Sequence, residues 1–223
     1  MDRIGEEIWL QRYPLCLAGC HLGRNVAVVR LRSGKLVIHS TADFPEGNFQ
    51  SLGEPGWLVE ATNFHDTCAG DGVDSLPLVP YHVPEGFSSP KGVKTHPILP
   101  APAEWEGELE VIELGGLPKI REHVFFHQVS RTLIVADLLF NLPPSAGGWT
   151  LRFMRVMAGM KSYPAMSRLF RFCIRDREAF VDSLRKVAEW EFERIVVAHG
   201  DPIEGEDAKE QFLAVLAENG FEI

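Results

Sequence analysis

Short apolar runs separated by turn residues dominate the first part of the chain and predict β-strands. Residues 26–31 and 35–39 flank Arg32-Ser33-Gly34, and two β-rich runs around a Gly-containing turn predict a hairpin. A third run, residues 57–62, ends in the polar segment 63–70. Further strand-like runs cover residues 109–114 and 123–127.

The longest apolar run, residues 131–140, predicts a strand that is buried on both faces. One charged residue, Asp137, interrupts it. An ionised carboxylate in apolar surroundings is destabilising unless a cation or several hydrogen-bond donors satisfy it. A later run, residues 194–198, leads directly into His199.

Two helices are predicted near the end of the chain. In residues 176–190, Asp176 has the character of an N-cap, and the apolar residues that follow recur at helical spacing. The second helix covers residues 207–218 and stops at Asn219-Gly220. The proline-rich segment 71–107 predicts mostly loop that packs against the body. We therefore expect one α/β domain that covers residues 1–223.

The composition narrows the classes of partner. The formal net charge is −9, which argues against nonspecific binding to nucleic acid or to an anionic membrane. No apolar run approaches the length of a membrane span, and the acidic start of the chain is unlike a signal peptide. The four cysteines are too sparse for a disulfide scaffold, so we expect reduced thiols and a cytoplasmic location.

Three polar side chains follow predicted strands and are candidates for chemistry. His65 follows the run 57–62, Asp137 interrupts the run 131–140, and His199 follows the run 194–198. Ligand sites collect where strands of α/β sheets end, because side chains there point into a crevice. Two imidazoles and one carboxylate suit a divalent ion such as zinc, manganese or iron.

Two sequence motifs resemble those of the metallo-β-lactamase superfamily. Residues 133–140, Leu-Ile-Val-Ala-Asp-Leu-Leu-Phe, are similar to its "(L/V)xTGDxLF" strand, and residues 197–202, Val-Ala-His-Gly-Asp-Pro, are similar to its "GHGxP" loop. Residues 26–40 resemble its opening hairpin. The resemblance extends over residues 22 to 218 and implies a four-layer αββα sandwich of two mixed sheets. In that family the motif's Asp bridges two metals and the His of the final loop binds the second metal.

The chain departs from the superfamily at several ligand positions. The "THxHxDH" loop is matched by Thr62-Asn63-Phe64-His65-Asp66-Thr67-Cys68, which keeps His65 alone and places Cys68 at the last His. No "GHTxG" segment precedes the strand with Asp137; His123 lies nearby but several positions late. The resemblance therefore implies at most a reduced site of Cys68, Asp137 and His199, with His65 as a fourth ligand. Too few ligands remain for two ions.

Other interpretations of the same residues stay open. Asp137 could cap a turn or accept backbone N–H groups, His199 and His65 could be ordinary loop residues, and Cys68 could be a small buried residue. The arginines between residues 152 and 175 are expected on a solvated face, from which one or two could reach a phosphate or carboxylate.

Two functions follow from these observations. We expect a non-catalytic descendant of the fold with a degenerate metal site, which binds a small molecule or a partner and holds no metal. The alternative is a hydrolase of esters, thioesters or phosphoesters with a single divalent ion, zinc being the first choice. Convergence of Cys68 with Asp137 would favour the hydrolase. The sequence leaves the oligomeric state open.

Overall fold

The first half of the chain builds one mixed β-sheet. The computed structural model describes residues 1–223. The strands in this half are β1 (Asp2–Gly5), β2 (Ile8–Tyr13), β3 (Cys16–Leu17), β4 (Cys20–His21), β5 (Arg24–Arg30), β6 (Lys35–His39), β7 (Glu54–Val59), β8 (Tyr81–Val83) and β9 (Thr95–Pro97). Strands β3 and β4 form a separate ribbon, and the other seven pair in the order β1-β2-β5-β6-β7-β8-β9. Pairing is antiparallel from β1 to β6 and parallel from β6 to β9.

The second half of the chain builds a smaller mixed sheet. Its strands are β10 (Leu109–Glu113), β11 (His123–His127), β12 (Thr132–Ile134), β13 (Arg194–Val196) and β14 (Ile203–Glu204), paired in that order. Strands β12 and β13 run parallel, and the other pairs are antiparallel. A parallel pair needs a long crossover, which here contains three of the helices.

Five α-helices and three short 3-10 turns connect or cover the sheets. The helices are α1 (Ala69–Ser75), α2 (Gly148–Val156), α3 (Arg168–Cys173), α4 (Arg177–Ala188) and α5 (Ala208–Glu218), and the turns are Asp66–Cys68, Ala103–Trp105 and Pro144–Ala146. Asp176 caps α4 as predicted, because its side chain accepts the backbone N–H of Ala179 at 3.0 Å. Ser167 caps α3 in the same way through Phe170. None of the helices is both long enough and apolar enough to cross a membrane.

Alternation of side chains along the strands assigns them to three apolar layers. In β5, Ala27 and Val29 face the second sheet, whereas Val26 and Val28 pack towards α1. In β11, Phe125 packs between the sheets, while its neighbours pack against α4 and α5. The architecture is therefore an α+β sandwich of two mixed sheets with helices outside, as the resemblance implied.

Most predicted elements lie close to their observed bounds, with two differences. Segment 71–107, predicted as mostly loop, also contains β8, β9 and most of α1, and the run 131–140 is not a single strand. The hairpin, the runs 57–62 and 194–198, and both C-terminal helices are present within a few residues. The run 131–140 is wrong as a single strand, because β12 ends at Ile134 and residues 135–139 continue as buried non-strand backbone. Asp137 therefore follows a strand instead of lying inside one.

Candidate metal centre

His65, Asp137 and His199 converge at one edge of the sandwich. Each lies a few residues beyond the carboxyl end of a strand: β7, β12 and β13, respectively. The Oδ1 atom of Asp137 is 3.5 Å from Nε2 of His65 and 3.8 Å from Nε2 of His199. One donor atom from each residue fits in a group whose members are all within 4.8 Å of one another. The three side chains that the sequence analysis singled out therefore lie together.

The ring of His199 is held in one tautomer. Its Nδ1 lies 2.7 Å from the carbonyl oxygen of Gly23, so Nδ1 carries the proton and Nε2 presents a lone pair. The ring also stacks on Phe140 at a centroid distance of 5.2 Å. Burial lowers the pKa of His199 to about 4, so the imidazole is neutral at physiological pH. A neutral imidazole with a fixed lone pair is the form that binds a metal.

Gly200 allows the sharp turn that follows His199. Its φ is +102°, and an added Cβ would lie 2.0 Å from the carbonyl oxygen of Asn141. Asn141 in turn donates its backbone N–H to the carbonyl oxygen of His199 at 3.1 Å. The His-Gly dipeptide is therefore required by close backbone packing as well as by the chemistry of the His.

A buried carboxylate orients the segment that carries Asp137. Glu122 is fully buried and accepts the backbone N–H groups of Ala136, Asp137 and Leu138 at 2.9 to 3.1 Å. The backbone of the turn is thus satisfied by Glu122, which leaves the Asp137 side chain free to point into the crevice. Burial raises the pKa of Glu122 to about 8, and the charge on Asp137 acts in the same direction.

A second buried carboxylate, Glu60, lies behind His65. Its Oε2 is 3.7 Å from Nδ1 of His65. Its Oε1 accepts three hydrogen bonds: from Nη2 of Arg24 at 2.5 Å, from the backbone N–H of Thr41 at 2.8 Å, and from the Thr41 hydroxyl. Arg24 also donates Nε to the Thr41 carbonyl at 2.6 Å. A buried ion pair therefore places a carboxylate beside the ring of His65.

The two carboxylates determine the charge of His65. Burial lowers its pKa, but Asp137 and Glu60 outweigh that effect and raise the pKa to about 9. Burial likewise raises the pKa of Asp137, but His65 and His199 outweigh it and leave the pKa below its ordinary value. Without a cation in the site, His65 and Asp137 therefore form a charged pair. Neither ring nitrogen of His65 makes a hydrogen bond, although both are buried.

The donor set fits a single divalent ion. Donors bound to zinc at about 2.0–2.2 Å in a tetrahedron lie about 3.4 Å apart, which is close to the separations around Asp137 Oδ1. Buried ring nitrogens without hydrogen-bond partners are rare in proteins unless an ion or water uses them. His65, Asp137 and His199 supply two imidazoles and a carboxylate, which leaves one tetrahedral position open.

Cys68 does not join this group. It ends the 3-10 turn Asp66–Cys68, precedes α1, and is absent from the converging donors. The version of the site that used its thiolate as a ligand is therefore not supported by the geometry. His123, which lies near the missing "GHTxG" position, and His127 are both buried in β11.

Sequence reasoning missed Arg24, Glu60 and Glu122. Each is at most 2% exposed, and each sits in or beside an apolar strand. Glu60 could have been identified from the sequence. It is a lone carboxylate in the apolar run 57–62, just as Asp137 is in the run 131–140, and such a residue indicates a buried charge that needs a partner.

A cavity of about 540 Å³ opens over the three converging residues. Its floor is polar, with His65, Asp137, His199 and Arg24, and Asp66 and Thr67 stand at one side. Its walls are mainly apolar and come from the β3–β4 ribbon, from α2 and α3, and from loops beside them: Leu15, Leu17, Leu22, Phe64, Phe140, Phe153, Met154, Met157, Ala158 and Leu169. A mostly apolar cleft with a few convergent polar groups has the character of a small-molecule site.

Solved structures of metallo-β-lactamases share this fold over nearly the whole chain. The enzyme from Pontibacter korlensis is 15% identical with a TM-score of 0.57, and the match covers 97% of each chain. FIM-1 from Pseudomonas aeruginosa, solved in a mono-zinc form, is 14% identical with a TM-score of 0.62 over 98% of this chain and 94% of that one. The enzyme from Erythrobacter litoralis is 17% identical with a TM-score of 0.61, over 97% and 95%.

Comparison by sequence adds nothing to this. No family model matches the chain, and no curated protein matches it. The structural likeness is at low identity but covers both sheets and the flanking helices, in agreement with the motifs around Asp137 and His199. The chain therefore has the metallo-β-lactamase fold.

Proposed function

We propose that this protein binds one divalent ion, zinc by preference, through His65, Asp137 and His199, and that it hydrolyses an ester, thioester or phosphoester. The observation that carries the proposal is the convergence of three donor atoms within 4.8 Å at the floor of an open cavity. Three protein ligands and one open position are the pattern of catalytic, as opposed to structural, zinc sites.

The residues around the site have separable roles. A bound divalent ion supplies a water nucleophile at neutral pH and polarises a carbonyl or phosphoryl oxygen. His199 is fixed by the Gly23 carbonyl, and Asp137 is positioned by the turn that Glu122 holds. Glu60 faces Nδ1 of His65 and orients that ring with Nε2 towards Asp137. Asn63, Asp66, Thr67 and Ser167 line the cavity and are polar groups available to orient a water or a substrate.

The cavity indicates the general character of the substrate. Ten of its eighteen lining residues are hydrophobic, and they form the walls above the polar floor. Such a site favours a substrate whose scissile bond is attached to an apolar portion.

A second candidate is a non-catalytic binding protein of the same fold. Two observations favour it: Cys68 does not join Asp137, and His65 and Asp137 can neutralise one another without any ion. In this case the cavity binds a small molecule or partner and the two side chains serve as a buried ion pair. The two candidates differ in whether the purified protein contains metal.

The test is metal analysis of protein purified without chelator. We expect a stoichiometric zinc signal in the wild type and its loss in Asp137→Asn, because the substitution removes the carboxylate that lies between the two imidazoles. Binding at about a thousandfold over Kd would add about 4 kcal/mol of stability, so chelation should lower Tm by about 8–16 °C.

The matched control is Asp201→Asn, an exposed carboxylate two residues beyond His199. It should retain both the zinc and the thermal shift on chelation. Two results together would contradict the hydrolase proposal: wild-type protein that contains no more metal than Asp137→Asn, and a wild-type Tm that chelator leaves unchanged. The non-catalytic binding protein would then be the remaining candidate.

A further inference from the structure

The segment around α2 and α3 contains basic residues but no acidic ones. Against a net charge of −9, residues 138–175 contain six basic residues and no acidic one. All six side chains are exposed, and none forms an ion pair. They are Arg152, Arg155, Lys161, Arg168, Arg171 and Arg175.

Large apolar side chains are exposed among these cations. In α2 and the residue after it, Trp149, Phe153, Val156 and Met157 follow the i, i+4, i+7, i+8 spacing of one helix face. Three of the four are more than 60% exposed: Trp149 at 63%, Val156 at 61% and Met157 at 64%. An amphipathic helix normally turns such a stripe to the core, but the buried side of α2 is occupied by Thr150 and Met154.

Helix α3 extends the same surface. The backbone N–H of Arg168 donates to the carbonyl oxygen of Ala158 at 2.8 Å, so the start of α3 is fixed beside the end of α2. Leu169 is 60% exposed and Phe172 70%, and the guanidinium of Arg175 lies 5.0 Å from the Phe172 ring centroid. We call the five residues Trp149, Val156, Met157, Leu169 and Phe172, with the six cations around them, the basic apolar face.

The cavity over the candidate metal centre opens on this face. Met157 and Leu169 belong to both, and two further exposed residues, Leu17 at 43% and Phe64 at 41%, also line the cavity. Whatever occupies the basic apolar face is therefore in direct contact with the entrance to the site.

We propose that the basic apolar face binds the surface of an anionic lipid bilayer. Exposed cations are attracted to anionic headgroups, and each contributes near the surface. Trp149 and Phe172 suit the interfacial zone, while Val156, Met157 and Leu169 gain by entering the acyl region beneath the headgroups. The net charge of −9 argued against an anionic membrane for the chain as a whole, but all of its acidic residues lie outside residues 138–175.

Two other occupants fit these residues less well. Nucleic acid would pair with the cations and stack on aromatic rings, but it has no apolar surface to cover Val156, Met157 and Leu169. A second copy of the chain would cover the apolar residues, but a two-fold interface would bring two sets of unpaired cations together. Acidic groups border the face, since Glu218 shares a cavity with Lys161 and Arg171, but they leave its charge positive.

The first test is flotation with vesicles, performed in EDTA so that it does not depend on a metal. The wild type should float with phosphatidylcholine vesicles that contain about 30 mol% phosphatidylglycerol, should not float with phosphatidylcholine alone, and should be released by salt. Arg152→Gln with Arg155→Gln should weaken binding about 30-fold. Lys91→Gln with Lys94→Gln removes two exposed cations elsewhere and should leave binding unchanged.

The apolar contribution is tested separately. Phe172→Ala should weaken vesicle binding about tenfold. Leu78→Ala is the matched control, because Leu78 is 95% exposed and lies far along the chain from α2 and α3. It should bind as the wild type does.

Intrinsic fluorescence supplies a direct readout of contact. Trp149 is the one exposed tryptophan, since Trp9, Trp57, Trp105 and Trp190 are each at most 8% exposed. Binding should shift the emission to shorter wavelength and protect it from iodide, and Trp149→Phe should abolish both changes.

Four outcomes would overturn the proposal. Three are failure of the wild type to float with the anionic vesicles, equal binding by the Arg152→Gln, Arg155→Gln protein, and a concentration-dependent dimer in sedimentation that Phe172→Asp dissociates. Tight binding to an oligonucleotide in place of vesicles would also overturn it. Since every arm is run in EDTA, none of these results bears on the proposed hydrolase.

Discussion

Arg24 and Glu60 form an ion pair whose side chains are 2% and 0% exposed. We predict that Glu60→Gln will lower the free energy of unfolding by about 3–5 kcal/mol, because Arg24 is left buried with an uncompensated charge. Gln retains an acceptor for the backbone N–H of Thr41, so the loss reports mainly the missing charge. Urea denaturation at neutral pH provides the measurement.

The double variant Arg24→Met, Glu60→Gln separates charge from packing. It removes the orphaned cation and should regain part of the loss that Glu60→Gln causes. Two results would show that the pair does not act as a unit. One is a Glu60→Gln protein that unfolds at the wild-type urea concentration. The other is a double variant whose loss of stability equals the sum of the losses in the two single variants.

Individual residues also show how far the sequence could predict the site. Asp137 and His199 were identifiable because a charged residue in an apolar run and a His-Gly turn after a strand are local signals. Cys68 lies outside the converging donors, which the sequence could not show because the register of the loop 63–70 depends on where β7 ends and α1 begins. Glu122 was invisible as a positioning residue, because its partners are backbone N–H groups fourteen to sixteen residues away.

At the scale of elements, the turn after β13 depends on one glycine. We predict that Gly200→Ala will destabilise the protein by more than the roughly 1–3 kcal/mol that an unfavourable backbone conformation alone costs, because the new methyl group meets the Asn141 carbonyl. Gly34→Ala is the control: its φ is +83°, but nothing lies within 4 Å of the added methyl.

Thermal or urea unfolding of the two glycine variants makes the comparison. The difference between them isolates the close approach between Gly200 and Asn141. Equal losses in both would mean that the backbone relaxes around the methyl group and that the position of His199 does not depend on this contact.

Elements differ in how well local sequence predicts them. Strands β5, β6 and β11 were predicted because each has a complete apolar pattern of its own. Strand β12 was predicted too long, because residues 135–139 are nearly all buried, as a strand would be, but the backbone N–H groups of residues 136–138 donate to Glu122 instead of to a neighbouring strand. Helix α2 was not predicted, although its apolar residues recur at helical spacing, because residues 143–148 before and at its start, Pro-Pro-Ser-Ala-Gly-Gly, are typical of a loop.

At the scale of the whole molecule, stability should decline in mild acid through His127. This side chain is fully buried, its Nδ1 lies 2.7 Å from the Ser130 hydroxyl, and burial lowers its pKa to about 4. Above the unfolded-state pKa of about 6.5 the ring is neutral in both states. As pH falls below that value, His127 becomes protonated in the unfolded state but stays neutral in the folded state, so the free energy of unfolding decreases.

The expected loss through His127 is about 2 kcal/mol between about pH 7 and about pH 5. His127→Gln should show a pH dependence of unfolding that is shallower by this amount. His21→Gln, at an exposed position, is the control and should follow the wild type. A His127→Gln protein with the wild-type slope would contradict the assignment.

The three converging side chains come from both sheets of the sandwich. His65 follows a strand of the first sheet, whereas Asp137 and His199 follow strands of the second. An ion held by all three would tie the two halves of the chain together at one edge and would oppose local separation of the sheets there. Amide hydrogen exchange near β7 and β12 should therefore slow together when the ion is bound.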